Sequence, residues 1–181
     1  MDALAFLEER GAVRRGLTLF RNGLVSDGWI EKGEVFRDPV ALDVLAAAQS
    51  QAIAGAFPTA TLITGLPAYG AVLASAIGRH LGLLVAFPLL QTPPLWHRMH
   101  VPPPGHQVVQ VDDLICTGTD TCAALAFLRA SGLHVLGVSA WISRISLPNE
   151  QLHTLASAPF ANYAAEGHSF GGEPIYTDIR E

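Results

Sequence analysis

The apolar positions change period along the chain, and each change marks an element. Leu4 and Leu7 are spaced for one face of a short helix over residues 2–10, which Gly11 ends. Residues 17–36 alternate irregularly around glycines at 23, 28 and 33, a pattern of short strands and turns. Asp38 and Pro39 then open a helix, the acid as N-cap and the proline in the first helical position. Helical spacing continues to about Ala56. From there, strand and helix patterns take turns. Residues 60–64 predict a strand, 70–81 a helix, 83–87 a strand, 107–111 a β-branched strand, 119–131 a helix stopped at Gly132, and 133–142 a long strand. Residues 148–157 predict a last helix and 175–179 an edge strand. Residues 88–106 hold six of the twelve prolines and read as a loop.

Strands that alternate with helices of ten to fifteen residues indicate βαβ units around a parallel sheet. The near-continuous apolar runs fit strands covered on both faces. The expected fold class is therefore α/β, one domain over residues 1–181. Residues 1–36 and the tail near 160–181 stand outside the alternation and read as a small hood on the main sheet.

Composition narrows the function classes. Half of the 181 residues are hydrophobic, enough for a sizeable single core, and 15% are charged. A net charge of −5 argues against a nucleic-acid binder held by phosphate contacts and against attraction to an anionic membrane. No apolar run approaches the roughly 18–20 residues of a membrane span. The first fifteen residues place acids before bases, the reverse of a secretory signal. Cys116 and Cys122 make neither a disulfide framework nor a metal pair. These features together predict a cytoplasmic protein.

The chemistry concentrates at residues 108–121, VVQVDDLICTGTDT. A buried strand ends in two acids, a small hydroxyl-rich turn follows, and a helix begins. Ligands of parallel α/β sheets sit at the carboxyl ends of strands, and a helix N-terminus offers free N–H groups to a phosphate. Thr117, Thr119 and Thr121 add hydroxyls, and Gly118 lets the backbone approach. Asp112 and Asp113 suit a polyhydroxyl sugar. The plainer reading is an N-capped helix after an ordinary strand with surface acids. A second stretch, TGLPAYGA over residues 64–71, also joins a strand to a helix. It reads either as a second anion-binding turn or as a plain β-to-α connection.

Residues 108–121 resemble the phosphoribosyl-diphosphate (PRPP) signature of the type I phosphoribosyltransferases. The stretch GLPAYGAVLASAIG resembles the diphosphate loop in the version found among orotate phosphoribosyltransferases, the closest subgroup. The resemblance implies the type I phosphoribosyltransferase (Rossmann-like) fold, with a central parallel sheet flanked by helices and a hood. It implies that Asp112 and Asp113 hold the ribose hydroxyls and that Cys116, Thr117, Gly118, Thr119, Asp120 and Thr121 wrap the 5-phosphate. Pro67, Ala68, Tyr69 and Gly70 would meet the diphosphate, with Ala68–Tyr69 the candidate for a cis or strained peptide. Phe20, Arg21, Trp29 and Lys32 are the hood candidates for the base and diphosphate. The implied partners are PRPP, with Mg²⁺ riding on its diphosphate, a base or nucleotide (an orotate-like pyrimidine), and a second copy of the chain. Cys116, where the family usually has threonine, and the carboxylate of Asp120 depart from the pattern.

A larger departure lies in the segment that should close over the site. The resembled enzymes carry a mobile, lysine-rich loop there. Residues 88–104 have no lysine, and the chain's one lysine is Lys32. His97, Arg98 and His100 are the cationic candidates, with Arg98 foremost, on a segment stiffened by proline. The alternatives are a transferase that joins a base nitrogen to C1 of ribose 5-phosphate, or a catalytically weak PRPP or nucleotide sensor or scaffold on the same fold.

Overall fold

The structure, a computed structural model, describes residues 1–20, 23–91, 94–166 and 173–177. Helix α1 (Ala3–Glu9) is capped by Asp2, whose carboxylate accepts from the Leu4 and Ala5 amides. Strands β1 (Val13–Leu19) and β2 (Leu24–Ile30) form an antiparallel hairpin. A short helix, α2 (Gly33–Phe36), leads to α3 (Pro39–Ala56), where Asp38 caps the Val40 and Ala41 amides and Pro39 starts the first turn. Then follow β3 (Leu62–Gly65), α4 (Tyr69–Leu81), β4 (Leu84–Ala86), a small hairpin of β5 (Pro88–Leu89) and β6 (Leu95–Trp96), β7 (Gln107–Ile115), α5 (Thr119–Ala130), β8 (His134–Ser143) and β9 (Leu152–Ser157). The tail adds β10 (Tyr163–Ala164) and β11 (Tyr176–Thr177).

The main sheet runs β4-β3-β7-β8-β9, with every neighbouring pair parallel. Both faces are covered. Ile63, Leu73, Ile77, Val109, Val111 and Trp141 bury into the core under α3 and α4. Val108, Ile115, Leu125, Leu128 and Val138 bury into the core under α5. This two-sided burial explains why the strands read as apolar runs rather than alternations. The second sheet runs β10-β2-β1-β11, joining the hairpin near the start of the chain to two strands from its tail.

Two expectations are corrected. The helix predicted over residues 148–157 is instead the edge strand β9. Residues 144–151 bring the chain back to pair Leu152 with Val138, too short a return for a crossover helix. The open edge of β8, with its unpaired backbone groups, overrides local helix preference. The strand expected to stop at residue 111 runs on to Ile115, because β8 keeps pairing with it as far as Ser143. Asp112 and Asp113 therefore lie within the strand, not after it. Of the edge strand expected over 175–179, Tyr176–Thr177 is a strand and the rest of its end lies outside the described residues.

Candidate functional site

Adjacent strand residues point to opposite faces, so the two acids of β7 see different surroundings. Asp113 is 2% exposed, and Asp112 is partly exposed. The Asp113 amide donates to Asp112 Oδ1 at 2.9 Å. Lys32, at the start of α2, donates from Nζ to Asp113 Oδ1 at 2.9 Å. Burial raises the pKa of both acids. At Asp112 the neighbouring Asp113 carboxylate adds to the rise and Lys32 opposes it, and the group is pushed up to about 7. At Asp113 the Lys32 ion pair and the Leu114 amide oppose the rise. Lys32 itself is raised: burial works against its charge, and the carboxylates of Asp113 and Asp112 outweigh it.

Beyond β7 the chain turns at Cys116–Gly118 into α5. Gly118 has φ +75°, and a Cβ there would lie 2.6 Å from Ile145 Cδ1, so the tight turn requires glycine. The Thr117 and Thr119 hydroxyls are 3.2 Å apart. They face the first turn of α5, whose amides have no intrahelical partners. Thr121 is buried, while Asp120 is exposed in the same turn. The Cys116 carbonyl accepts from Asn162 Nδ2 at 2.8 Å, and burial pushes its thiol pKa up.

The second turn joins β3 to α4. A Cβ on Gly65 would fall 2.0 Å from the Gly70 carbonyl oxygen, so only glycine lets the loop fold back this closely. The Ala71 amide closes the turn onto Leu66 O at 3.0 Å. A cis peptide is present at Pro67–Ala68, one bond before the expected Ala68–Tyr69.

Tertiary folding brings both turns to one cavity of about 540 Å³, lined by Pro67, Ala68, Tyr69 and Gly70 on one side and by Asp112, Asp113 and residues 117–121 on the other. Lys32 lines it, and so do Leu89, Leu90 and Gln91. Cys116, expected in the phosphate wrap, is not part of the lining. His97, Arg98 and His100 are exposed and lie outside the lining. Their segment is tethered elsewhere, with Trp96 Nε1 donating to Ser131 Oγ at 3.0 Å and the Trp96 ring 5.2 Å from that of Phe127.

Phe20 and Trp29 are not among the lining residues. Phe20 packs 6.1 Å from Trp29, and Trp29 stacks on Tyr176 at 3.9 Å. Arg21 lies outside the described residues. Sequence reasoning missed Arg144, just past the end of β8 and, like Phe20 and Trp29, outside the cavity lining. Its guanidinium donates to Ser26 Oγ at 2.7 Å, Gly28 O at 2.9 Å and Asn162 Oδ1 at 3.2 Å, and it lies over the Phe20 ring at 5.2 Å. Burial lowers its pKa. No local pattern marks such a residue, because its partners come from β2 and the tail.

No protein-family model matches the chain. It is 33% identical over 147 residues to the orotate phosphoribosyltransferase of Acidithiobacillus ferrooxidans, covering 80% of this chain and 75% of that one. It is 28% identical over 163 residues to the enzyme of the same name from Methylorubrum populi, covering 85% and 83%. Among solved structures, the orotate phosphoribosyltransferase of Aeropyrum pernix matches with a TM-score of 0.72 at 23% identity, over 87% of this chain and 93% of that one. An adenine phosphoribosyltransferase matches with a TM-score of 0.65 at 18% identity, over 83% and 99%. The fold, the two turns at one cavity and the relatives agree: the chain belongs to the type I phosphoribosyltransferases, whose reaction transfers phosphoribosyl from PRPP to a base.

Proposed function

We propose that the protein transfers the 5-phosphoribosyl group of PRPP to a ring nitrogen of orotate or a closely similar acidic pyrimidine, releasing diphosphate. The observation that carries this reading is the single cavity in which Asp112 and Asp113 face both the threonine turn and the Pro67–Gly70 turn. A sugar carrying phosphate at one end and diphosphate at the other is the ligand that uses all three features. The acids accept from the ribose hydroxyls. The Thr117–Thr121 amides and hydroxyls hold the 5-phosphate at the α5 N-terminus. The amides around Pro67–Gly70 hold the diphosphate. Magnesium would come with the substrate and supply charge neutralisation on its diphosphate.

An acidic base suits Arg144. That cation is partly buried, and among the described residues its hydrogen bonds go to neutral oxygens. A carboxylate on the base would complete it. The second reading, PRPP binding without turnover, is favoured by the exposed position of Arg98 outside the cavity.

The test is a calorimetric titration with magnesium PRPP, followed by diphosphate-release assays over a panel of bases. Turnover with orotate supports the proposal. Binding without turnover for any base supports the second reading, and no binding of PRPP removes both.

A further inference from the structure

A leaving diphosphate gains negative charge as its bond to ribose breaks, and a nearby cation is the strongest means of lowering that cost. The segment over the site does not place one there, since its His97, Arg98 and His100 are exposed and outside the cavity. Most of the described arginines are engaged elsewhere: Arg10 with Asp38, Arg14 and Arg37 with Glu34, Arg79 with Asp43, and Arg129 with Glu150. Among the described residues, Lys32 is the cation that lines the cavity.

Its position joins the two halves of the site. Nζ lies 2.9 Å from Asp113 Oδ1 and 5.1 Å from the centre of the Tyr69 ring. Tyr69 follows directly on the Pro67–Ala68 turn. An ammonium has three donors, and the described structure gives it one acceptor, Asp113. The side chain keeps 29% of its surface exposed, so it is not sealed into the pair. A permanent ion pair would also compete with ribose for the Asp113 oxygens.

We propose that Lys32 is a catalytic residue that turns from Asp113 toward the Pro67–Gly70 turn when PRPP binds and holds the departing diphosphate. This rests on the reading of PRPP as the ligand. In the step, the C1–O bond breaks with its electron pair on diphosphate, and the base nitrogen forms the C1–N bond with its lone pair. The N–H proton of the base goes to solvent. Lys32 keeps its own proton and donates a hydrogen bond to an oxygen of the leaving group. Because that oxygen gains charge in the transition state, the contact lowers the barrier as well as tightening binding.

The experiment compares wild type, Lys32→Met and Lys32→Arg by calorimetry with magnesium PRPP and with ribose 5-phosphate, which lacks the diphosphate. Lys32→Met should weaken PRPP by about tenfold or more while ribose 5-phosphate binding changes little. Its kcat should fall about 10²–10³-fold, and Lys32→Arg should recover part of both. Equal weakening of the two ligands, or unchanged PRPP affinity, overturns the proposal and leaves Lys32 a neutraliser of Asp113. Failure of wild type to bind PRPP removes the functional reading itself. If Lys32→Met does not fold, ε-¹⁵N-lysine labelling of wild type decides, because Lys32 supplies a single resonance. That resonance should differ between the PRPP and ribose 5-phosphate complexes, and identical positions would sink the idea.

Discussion

Replacing Asp112 by asparagine is expected to stabilise the unliganded protein while weakening PRPP binding. The carboxyl is pushed from its ordinary 3.8 up to about 7 by burial and then by the Asp113 charge, against the pull of Lys32. A folded-state pKa raised in this way favours the protonated form. The stability that the group contributes is complete below its unfolded value near 4 and is lost as pH rises toward 7. Asparagine mimics the protonated acid at every pH, and its Oδ1 can keep accepting from the Asp113 amide. The variant should thus match wild type near pH 4, gain between about pH 4 and 7, and hold a constant advantage above that. That rise sets a ceiling of about 4 kcal/mol. The carboxyl is partly exposed and shares its charge state with Asp113, which brings the expected gain to about 1–2 kcal/mol. In a chain of this size that is a Tm rise of about 2–8 °C. Thermal melts of both proteins in matched buffers from pH 4.5 to 8.5 read the difference. A variant less stable than wild type at pH 8, or a difference that does not vary with pH, would refute the reasoning. The same outcome would show that Asp112 is not held in a costly state for its ligand.

Gly65→Ala places a Cβ against the Gly70 carbonyl, a backbone atom that cannot swing aside; PRPP affinity should fall at least tenfold by calorimetry, about 1.4 kcal/mol, and wild-type affinity would contradict the loop geometry. Trp141→Ala empties the largest fully buried side-chain position, packed against Phe36; it should cost about 3–5 kcal/mol in denaturant unfolding. Arg144→Met should raise KM for orotate about tenfold or more while PRPP binding measured without base stays near wild type, and an unchanged KM would remove Arg144 from base recognition.

Apart from the β5–β6 hairpin and the far end of β7, the strands and helices from residue 39 to 143 were legible because each is set by local rules. Asp38 and Pro39 dictate a helix start, β-branched runs dictate buried strands, and Gly118 dictates a turn that only a positive φ allows. The two turns at the cavity were legible for the same reason, since strand, turn and helix start are contiguous in each. That Asp112 and Asp113 face the Pro67–Gly70 turn depends on β3 lying beside β7, which residue order alone does not state. What tertiary structure decided involves partners far apart along the chain. Residues 152–157 become a strand because β8 has an open edge to fill. Lys32 reaches Asp113 across 81 positions, and Arg144 reaches Ser26 across 118. Periodicity carries no information about such pairs, because each residue taken alone reads as an ordinary surface charge. By itself the sequence determined most of the elements and the two strand-to-helix turns. Folding alone decided which cation stands among them, because the ion pair of half-buried Lys32 with buried Asp113 is set by packing distance and not by position in the chain.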